Sequence, residues 1–197
     1  DGLLDLYVCN YVNWSFANHP HCAGADVGTT EICPPKQFDP LPDAIYYNNG
    51  DGTFRNAAKE AGLRIDGKGL GVMLADVNLD GHLDIYVAND TTDNFLYLND
   101  GKGVFKEVGL LHSVALDNSG APNGSMGVDV GDYNGDGMPD IWVANYEQES
   151  FALYAIAKRI MVPKLTCKAL ALSSQISQRV LPTHVKRSIL ELGLKRQ

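Results

Sequence analysis

Short runs in which apolar and polar residues alternate are separated by turn-forming residues, most regularly between positions 70 and 108. The alternation of branched and aromatic residues with a period of two predicts half-buried β-strands. Asp, Asn and Gly between the runs predict tight turns. The four runs are LGVMLAD (70–76), LDIYVAN (83–89), NFLYLND (94–100) and GVFKEV (103–108). This order predicts four consecutive antiparallel strands.

The strand pattern recurs along the chain. The hairpin sequence LYLNDGKGVF (96–105) has an earlier counterpart in IYYNNGDGTF (45–54), and Gly71 and Gly127 occupy equivalent positions 56 residues apart. Four strands per repeat of this length predict one blade of a β-propeller. Residues 1–57, 70–108 and 126–154 supply about two and a half four-stranded antiparallel blades. Closed propellers need at least about 4 blades, so we expect the remaining blades to lie outside this sequence.

Each repeat also contains an acidic nine-residue loop, DVNLDGHLD from Asp76 and DYNGDGMPD from Asp132. Oxygen-bearing side chains at positions 1, 3, 5 and 9, with glycine at position 6, suit the six to eight hard ligands of Ca²⁺. Position 7 would supply a backbone carbonyl, which leaves its side chain free to vary. The predicted ligands are Asp76, Asn78, Asp80, His82 and Asp84 in the first loop and Asp132, Asn134, Asp136, Met138 and Asp140 in the second.

These loops differ from an EF-hand, which needs a bidentate Glu at position 12 and flanking helices. Position 12 is Val87 or Val143, and a strand pattern follows each loop. Part of a third copy begins the chain, with Asp1, Leu3 and Asp5 at positions 5, 7 and 9. We therefore expect positions 1–4 of that copy to lie upstream, and we expect Ca²⁺ to brace strands within a blade.

The pattern G-x-x-x-A/G-D-x-N-x-D-G-x-x-D-I/L-x-V-A/C-N, followed by L-Y-x-N-x-G-x-G-x-F, resembles the FG-GAP/VCBS repeat, specifically the propeller region of the ASPIC/UnbV family. The resemblance covers residues 1–154. It implies an all-β, calcium-stabilised partial propeller similar to the integrin α-chain head. It further implies an exported, non-catalytic adhesion or interaction scaffold that is extracellular, periplasmic or on the cell surface, with an extracellular protein or glycan as its partner.

Charge is distributed unevenly along the chain. Residues 1–150 contain 23 acidic and 7 basic residues, whereas residues 151–197 contain 1 acidic and 9 basic residues. The acidic region is unsuited to binding nucleic acid phosphates, and no apolar run approaches the ~20 residues of a transmembrane helix. Residues 155–197 depart from the repeat and predict a non-propeller tail. A frame shift, a disordered tail and a genuine basic amphipathic module all stay open as interpretations of it.

An insert at residues 10–43 interrupts the first repeat. Loops of this length are usually functional or cross-linked, and Cys22 and Cys33 predict a disulfide that closes it, with Cys9 as a competing partner. A zinc site formed by these two cysteines with His19 and His21 is the weaker alternative, because the ligands are crowded together. Trp14 and Phe16 are expected to cover the blade or the loop core rather than to bind sugar.

Catalysis is not predicted, because the repeats account for nearly all the carboxylates and no Ser/His/Asp set or phosphate-binding loop stands apart from them. Asp26 and Glu31 in the insert are the only weak candidates for a catalytic acid or base. Two alternatives to a scaffold are a calcium-dependent carbohydrate-binding propeller, which would use the insert and the metal together, and a propeller that cleaves acidic polysaccharides.

Overall fold

The computed structural model of the protein describes residues 2–26, 28–157 and 166–172. These residues form eleven β-strands and one short 3-10 helix, Pro35–Gln37. The strands are β1 (Leu6–Val8), β2 (Ala44–Asn48), β3 (Phe54–Asn56), β4 (Gly69–Ala75), β5 (Asp84–Asn89), β6 (Phe95–Asn99), β7 (Phe105–Glu107), β8 (Ser125–Gly131), β9 (Asp140–Asn145), β10 (Phe151–Ala157) and β11 (Thr166–Leu172). Every predicted strand run corresponds to one of them.

The strands form three antiparallel sheets in which each strand pairs with its neighbour in sequence. The first sheet contains β1–β3, the second β4–β7 and the third β8–β11. This meander is the blade of a propeller, and the predicted all-β partial propeller is confirmed. Within the residues that the structure describes, the sheets do not close into a ring.

The third sheet extends further than the sequence pattern indicated. Its strand β10 continues to Ala157 and pairs along its whole length with β11, from Phe151 opposite Leu172 to Ala157 opposite Thr166. Strand β11 lies in the segment that was expected to be a non-propeller tail. The rest of that tail, 158–165 and 173–197, lies outside the described residues.

The hydrophobic core has two layers, one on each face of the second sheet. Strand β5 is buried throughout and its side chains alternate, so that Ile85 and Val87 face the first sheet while Tyr86 and Ala88 face the third. The alternation follows from the pleat of a strand. Full burial of an aliphatic side chain such as that of Val87 contributes roughly 1.5–3 kcal/mol. The second sheet therefore links the other two.

The outer face of the first sheet has no such cover among the described residues. Leu6 and Val8 of β1 occupy the positions of Ile85 and Val87 in β5, but their exposed fractions are 50% and 40%. Their side chains point away from the second sheet, because Tyr7 on the opposite side of β1 packs against the core between the first two sheets. An apolar face that a further blade could cover is thus left in solvent.

The connections between strands alternate between two rims of the sheets, because successive strands are antiparallel. One rim, here called the acidic rim, carries both acidic loops and the hairpin turns 49–53 and 100–104. The opposite rim, here called the insert rim, carries the insert and the connections 90–94, 108–124 and 146–150. The acidic loops and the insert are therefore separated by the length of a strand.

An asparagine fixes the start of the insert in the same way as in a repeat that has no insert. The backbone N–H of Asn10 donates to Asp43 Oδ1 at 2.8 Å, and its side-chain amide donates to the carbonyl of Pro42 at 2.7 Å. Asn89 makes the equivalent bonds to Asn94 Oδ1 at 2.7 Å and to the carbonyl of Asp93 at 2.6 Å. The same two kinds of hydrogen bond thus join the ends of the long insert and the ends of the short connection 90–94.

Candidate metal centre

The first acidic loop is shaped by its own side chains. Both carboxylate oxygens of Asp76, at position 1, accept backbone N–H groups, from Asp80 at 3.0 Å and from Gly81 at 2.8 Å. The Asn78 Oδ1 atom, at position 3, accepts the same Asp80 N–H at 2.9 Å. Side-chain oxygens of positions 1 and 3 therefore both lie beside the Asp80 N–H group inside the loop.

The second loop repeats this arrangement. The Asp132 carboxylate accepts N–H groups from Asp136 at 3.1 Å and from Gly137 at 2.8 Å, and Asn134 Oδ1 accepts the Asp136 N–H at 2.8 Å. Asp132 also accepts the N–H of Gly135 at 2.7 Å. The Asp and Asn side chains at positions 1 and 3 therefore make the same hydrogen bonds to position 5 in two separate sheets.

Position 5 is fixed from both sides in each loop. Asp80 Oδ1 accepts the His82 N–H at 2.9 Å, and Asp80 Oδ2 accepts the Asn78 side-chain amide at 2.8 Å. These two hydrogen bonds hold the pKa of the Asp80 carboxyl below its usual range. Asp136 receives the corresponding bonds from Met138 at 2.9 Å and from Asn134 at 3.0 Å. A carboxylate oxygen has lone pairs left for a cation after one such bond.

Position 9 joins the loop to the sheet. Asp84 is 1% exposed; its Oδ2 accepts the Val77 N–H within the loop at 3.0 Å, and its Oδ1 accepts the N–H of Asn99 on β6 at 2.9 Å. Asp140 bonds in the same way to Tyr133 at 3.0 Å and to Ile156 on β10 at 2.8 Å.

Burial also changes the proton affinity of the position 9 carboxylates. Desolvation raises the pKa of Asp84 to about 6, with a further contribution from the nearby Asp80 and Asp76 carboxylates. Desolvation and the neighbouring Asp136 and Asp132 likewise raise the pKa of Asp140. Each loop therefore contains a buried carboxylate whose charge is disfavoured by its surroundings.

The loop backbone turns where glycine was predicted. Gly81 and Gly137, at position 6, have φ values of 92° and 83°. Position 4 is also left-handed in both loops, with φ of 58° at Leu79 and 75° at Gly135. The sequence pattern did not reveal this second constraint, because only one of the two loops has glycine there.

Position 7 differs between the loops. His82 is exposed and lies beside the hairpin glycine Gly101, whose added Cβ would come within 2.5 Å of the His82 Nε2 atom. Met138 is 4% exposed and belongs to the core between the second and third sheets. The expectation that this side chain varies freely is wrong for the second loop, because Met138 fills core volume.

Asp5, the described acidic residue of the partial third copy, makes the same bond to a neighbouring strand as Asp84 and Asp140, although Asp5 is exposed and they are buried. Its Oδ1 accepts the N–H of Asn48 on β2 at 2.8 Å, and the Asn48 side chain donates to the Leu4 carbonyl at 3.1 Å. Asn99 donates likewise to Leu83 at 3.0 Å. Leu3 borders the cleft of about 890 Å³ between the first two sheets at this rim. Asp1 lies outside the described residues.

The donor set of the loops fits a hard cation. Each loop brings together carboxylate and amide oxygens, which are ligands that Ca²⁺ prefers. Arg55 and Arg64 form ion pairs with Glu60, Asp66, Asp93 and Glu107, none of which is a loop carboxylate. Among the described residues, no three Asp, Glu, His or Cys side chains converge to hold a metal alone. Asn and backbone oxygens would have to complete the coordination.

The insert contains the predicted disulfide, which joins Cys22 to Cys33. The zinc alternative is wrong, because both thiols are consumed and the His19 Nδ1 atom accepts the Trp14 indole N–H at 2.8 Å. Cys9 is free, and burial together with the nearby Asp43 carboxylate raises the pKa of its thiol to about 12.

The insert is anchored to the second sheet by polar contacts. The hydroxyl of Tyr11 donates to Asp90, and the buried Lys68 ammonium donates to the Pro35 carbonyl at 2.7 Å. The expectation that Trp14 and Phe16 cover the blade or the loop core is wrong for Phe16, which is 93% exposed. Trp14 is 46% exposed and contacts Phe16 and His19 within the insert.

A carbohydrate site that uses the insert and a loop-bound metal together does not fit this fold, since the insert and the acidic loops occupy opposite rims. Across the described residues, no helix is both long and apolar enough to span a membrane.

Comparisons with known proteins agree with the fold. The family of FG-GAP-like repeats matches residues 1–87 and 76–143. Human cartilage acidic protein 1 is 41% identical over 71 residues, which are 34% of this chain and 11% of that protein. The mouse protein of the same name is 28% identical over 145 residues, 74% of this chain and 19% of that protein. The chain therefore spans less than a fifth of either relative.

Proposed function

The chain belongs to the FG-GAP-like repeat family, and we propose that it is a calcium-binding, non-catalytic segment of a β-propeller that serves an exported protein as an adhesion or interaction scaffold. Ca²⁺ is assigned to the two acidic loops. In this proposal the ion is structural and braces the first two strands of a blade against the third.

The observation that carries the proposal is the repeated geometry at position 9. Asp84 and Asp140 are each 1% exposed, lie close to two other carboxylates, and bond to a strand that is not part of the loop. Buried carboxylates are usually paired with a cation or ligate a metal. A divalent ion in the loop would remove the mutual repulsion and hold the loop oxygens against β6 and β10.

Two further observations support an exported scaffold. The Cys22–Cys33 disulfide is typical of oxidising compartments, where Ca²⁺ is abundant enough for sites with a Kd on the order of 10⁻⁴–10⁻³ M. The exposed apolar face of β1, with Leu6 and Val8, fits cover by a further repeat of the whole protein.

Terbium luminescence tests the metal site in each loop separately. Tb³⁺ replaces Ca²⁺ at oxygen sites. We expect Tyr133, at position 2 of the second loop and next to the proposed ligand Asp132 in sequence, to sensitise its emission, whereas the first loop has Val77 there. We expect sensitised emission that Ca²⁺ displaces and that Asp132→Asn abolishes, while Asp76→Asn leaves most of it.

The matched control is Asp100→Asn. Asp100 lies in a hairpin turn on the same rim and accepts N–H groups from Lys102 at 2.8 Å and Val104 at 3.1 Å, but it is not in an acidic loop. Equal loss of emission in the Asp100 and Asp132 variants would refute the assignment. Unfolding midpoints are then compared in about 5 mM Ca²⁺ and in chelator, because such weak sites need Ca²⁺ concentrations of the order of mM. Equal midpoints would refute the structural role of the ion.

A further inference from the structure

The segment 13–19 of the insert has a defined conformation although all seven residues are exposed. Asn18 organises it: its Oδ1 accepts the Ser15 N–H at 2.5 Å and the Ser15 hydroxyl at 3.1 Å, and its amide donates to the Asn13 carbonyl at 3.0 Å. The Asn13 N–H donates to the Asp39 carbonyl at 2.9 Å. The segment is thus tied both to itself and to the end of the insert.

This conformation places three aromatic rings together at the surface, here called the aromatic platform: Trp14, Phe16 and His19. The Trp14 and Phe16 ring centroids are 5.1 Å apart with an interplanar angle of 61°, and those of Trp14 and His19 are 6.1 Å apart at 86°. The indole N–H is donated to His19, which fixes the orientation of the indole ring. Rings held in place before binding lose little entropy when a partner arrives.

The polar groups beside the platform are largely used by the loop itself. The indole N–H, the Ser15 hydroxyl and both ends of the Asn18 amide make internal hydrogen bonds. A sugar site combines an aromatic face with several groups that can bond to hydroxyls, and few of these are left here. The ring faces are the main recognition element that the segment offers.

The charge of the insert selects among ligands that bind to ring faces. Residues 11–43 contain four acidic residues and one basic residue. Asp26, Glu31 and Asp39 are exposed, against the single Lys36. Aromatic faces attract cations, and the negative field of the region favours their approach. The planar guanidinium of arginine stacks on aromatic rings better than the ammonium of lysine.

We propose that the aromatic platform binds arginine side chains of a partner polypeptide. The site lies on the insert rim, opposite the acidic loops, and does not depend on bound metal. It therefore goes beyond the proposed calcium function, and each could fail without the other.

Binding of fluorescein-labelled octapeptides to the full chain tests the proposal, with fluorescence anisotropy measured at a fixed Ca²⁺ concentration. The probes are (Gly-Arg)₄, (Gly-Lys)₄ and (Gly-Gln)₄. We expect the arginine peptide to bind most tightly and the glutamine peptide least. Phe16→Ala and Trp14→Ala should each weaken binding of the arginine peptide by about 5-fold, the effect of one exposed cation–π contact.

Two further variants separate the mechanism from its alternatives. Phe16→Leu keeps the apolar bulk but removes the ring, so it should weaken binding as much as Phe16→Ala. Phe54→Ala removes a phenylalanine that is 43% exposed at the opposite rim and should have no effect. Phe16 is 93% exposed, so its replacement leaves the core intact.

The proposal is overturned if Phe16→Ala and Phe54→Ala bind the arginine peptide equally, because the attraction is then only general charge. It is also overturned if Phe16→Leu binds like the unchanged chain, which would indicate apolar contact. Retention on a glycan array that depends on Trp14, without binding of the arginine peptide, would assign the platform to carbohydrate instead.

Discussion

The two acidic loops share most of their hydrogen bonds but have different surroundings. The bonds of positions 1, 3, 5 and 9 recur in both loops, with one more from Gly135 to Asp132 in the second, whereas the residue type at position 4, the burial of position 7 and the partner of position 9 differ. The loop conformation is therefore set by local Asp and Asn side chains, and each blade adapts the remaining positions to its own packing.

The clearest difference is the strand residue that meets position 9. Asn99 donates its backbone N–H to Asp84 and its side-chain amide to the Leu83 carbonyl, so two hydrogen bonds hold the first loop to β6. Ile156 donates only its backbone N–H to Asp140, but its side chain is fully buried in the core. The first loop is secured by polar contacts and the second by apolar burial.

The largest expected effect comes from removing position 9. Asp84→Ala and Asp140→Ala each leave two backbone N–H groups without their acceptor, one of them on a neighbouring strand, and should each lower the free energy of unfolding by about 2–4 kcal/mol. Urea unfolding in chelator measures this without metal. A loss in one loop only would contradict the structural equivalence of the two.

Exchanging the residues at position 7 should cost much more stability in the second loop than in the first. Met138→His places a polar ring in a site that is 4% exposed and should cost about 2–3 kcal/mol. The reverse change, His82→Met, lies on the surface and should cost less than about 0.5 kcal/mol. Unfolding of both variants by urea is the measurement. Similar costs would show that position 7 has the same environment in both loops.

The pH dependence of the metal-free protein sharpens the comparison at position 9. The folded pKa of Asp84, about 6, lies above its ordinary value of 3.8, so between these values the folded state binds more protons than the unfolded state. The stabilisation that comes from the raised pKa of Asp84 is fully present below about pH 4 and is lost as the pH rises through about 6.

We expect the chelated protein to lose about 1–2 kcal/mol from this group over that interval, which is part of what the pKa difference allows. Asp84→Asn should flatten the corresponding part of the pH profile, because an amide does not titrate in this range. Urea midpoints between pH 4 and pH 7 provide the measurement. An unchanged slope in Asp84→Asn would assign the pH dependence to other carboxyls.

The smallest effect is expected at position 4. Leu79 adopts a φ of 58°, where a side chain costs about 1 kcal/mol, whereas Gly135 has a φ of 75° with open space around it. Gly135→Leu should therefore destabilise the chain by about 1 kcal/mol. Leu79→Gly should stabilise it by less than that, because glycine gains freedom in the unfolded state. Paired thermal scans would detect opposite shifts, and shifts of the same sign would refute the shared conformation.

Much of this architecture follows from local sequence. The strands, the hairpins with Gly101 and Gly103 at positive φ, and the converging oxygens of Asp76 and Asn78 depend on residues within a few positions of each other. The Cys22–Cys33 disulfide was also predicted and is confirmed. Binding of Ca²⁺ to the loops remains a prediction.

The features that sequence reasoning missed depend on contacts between distant segments. Burial of Met138 requires the third sheet to pack on the second, and the pairing of β11 with β10 connects residues across a break in the repeat pattern. The hydrogen bonds of Asn18 hold segment 13–19 in a conformation in which Trp14 and Phe16 are exposed. An aromatic residue in a long loop gives no signal by itself of which side it will face.

The asparagine bonds at the base of the insert recur in the short connection 90–94, which makes that connection a suitable site for inserting a peptide. Asn10 joins the ends of β1 and β2, and Asn89 joins the equivalent ends of β5 and β6 with the same bonds, although one connection is far longer than the other. The entropy cost of a longer loop grows only slowly with its length. A foreign peptide grafted between Asp90 and Asp93 would thus have both of its ends fixed by the bonds of Asn89. The peptide would be displayed on the rim away from the acidic loops.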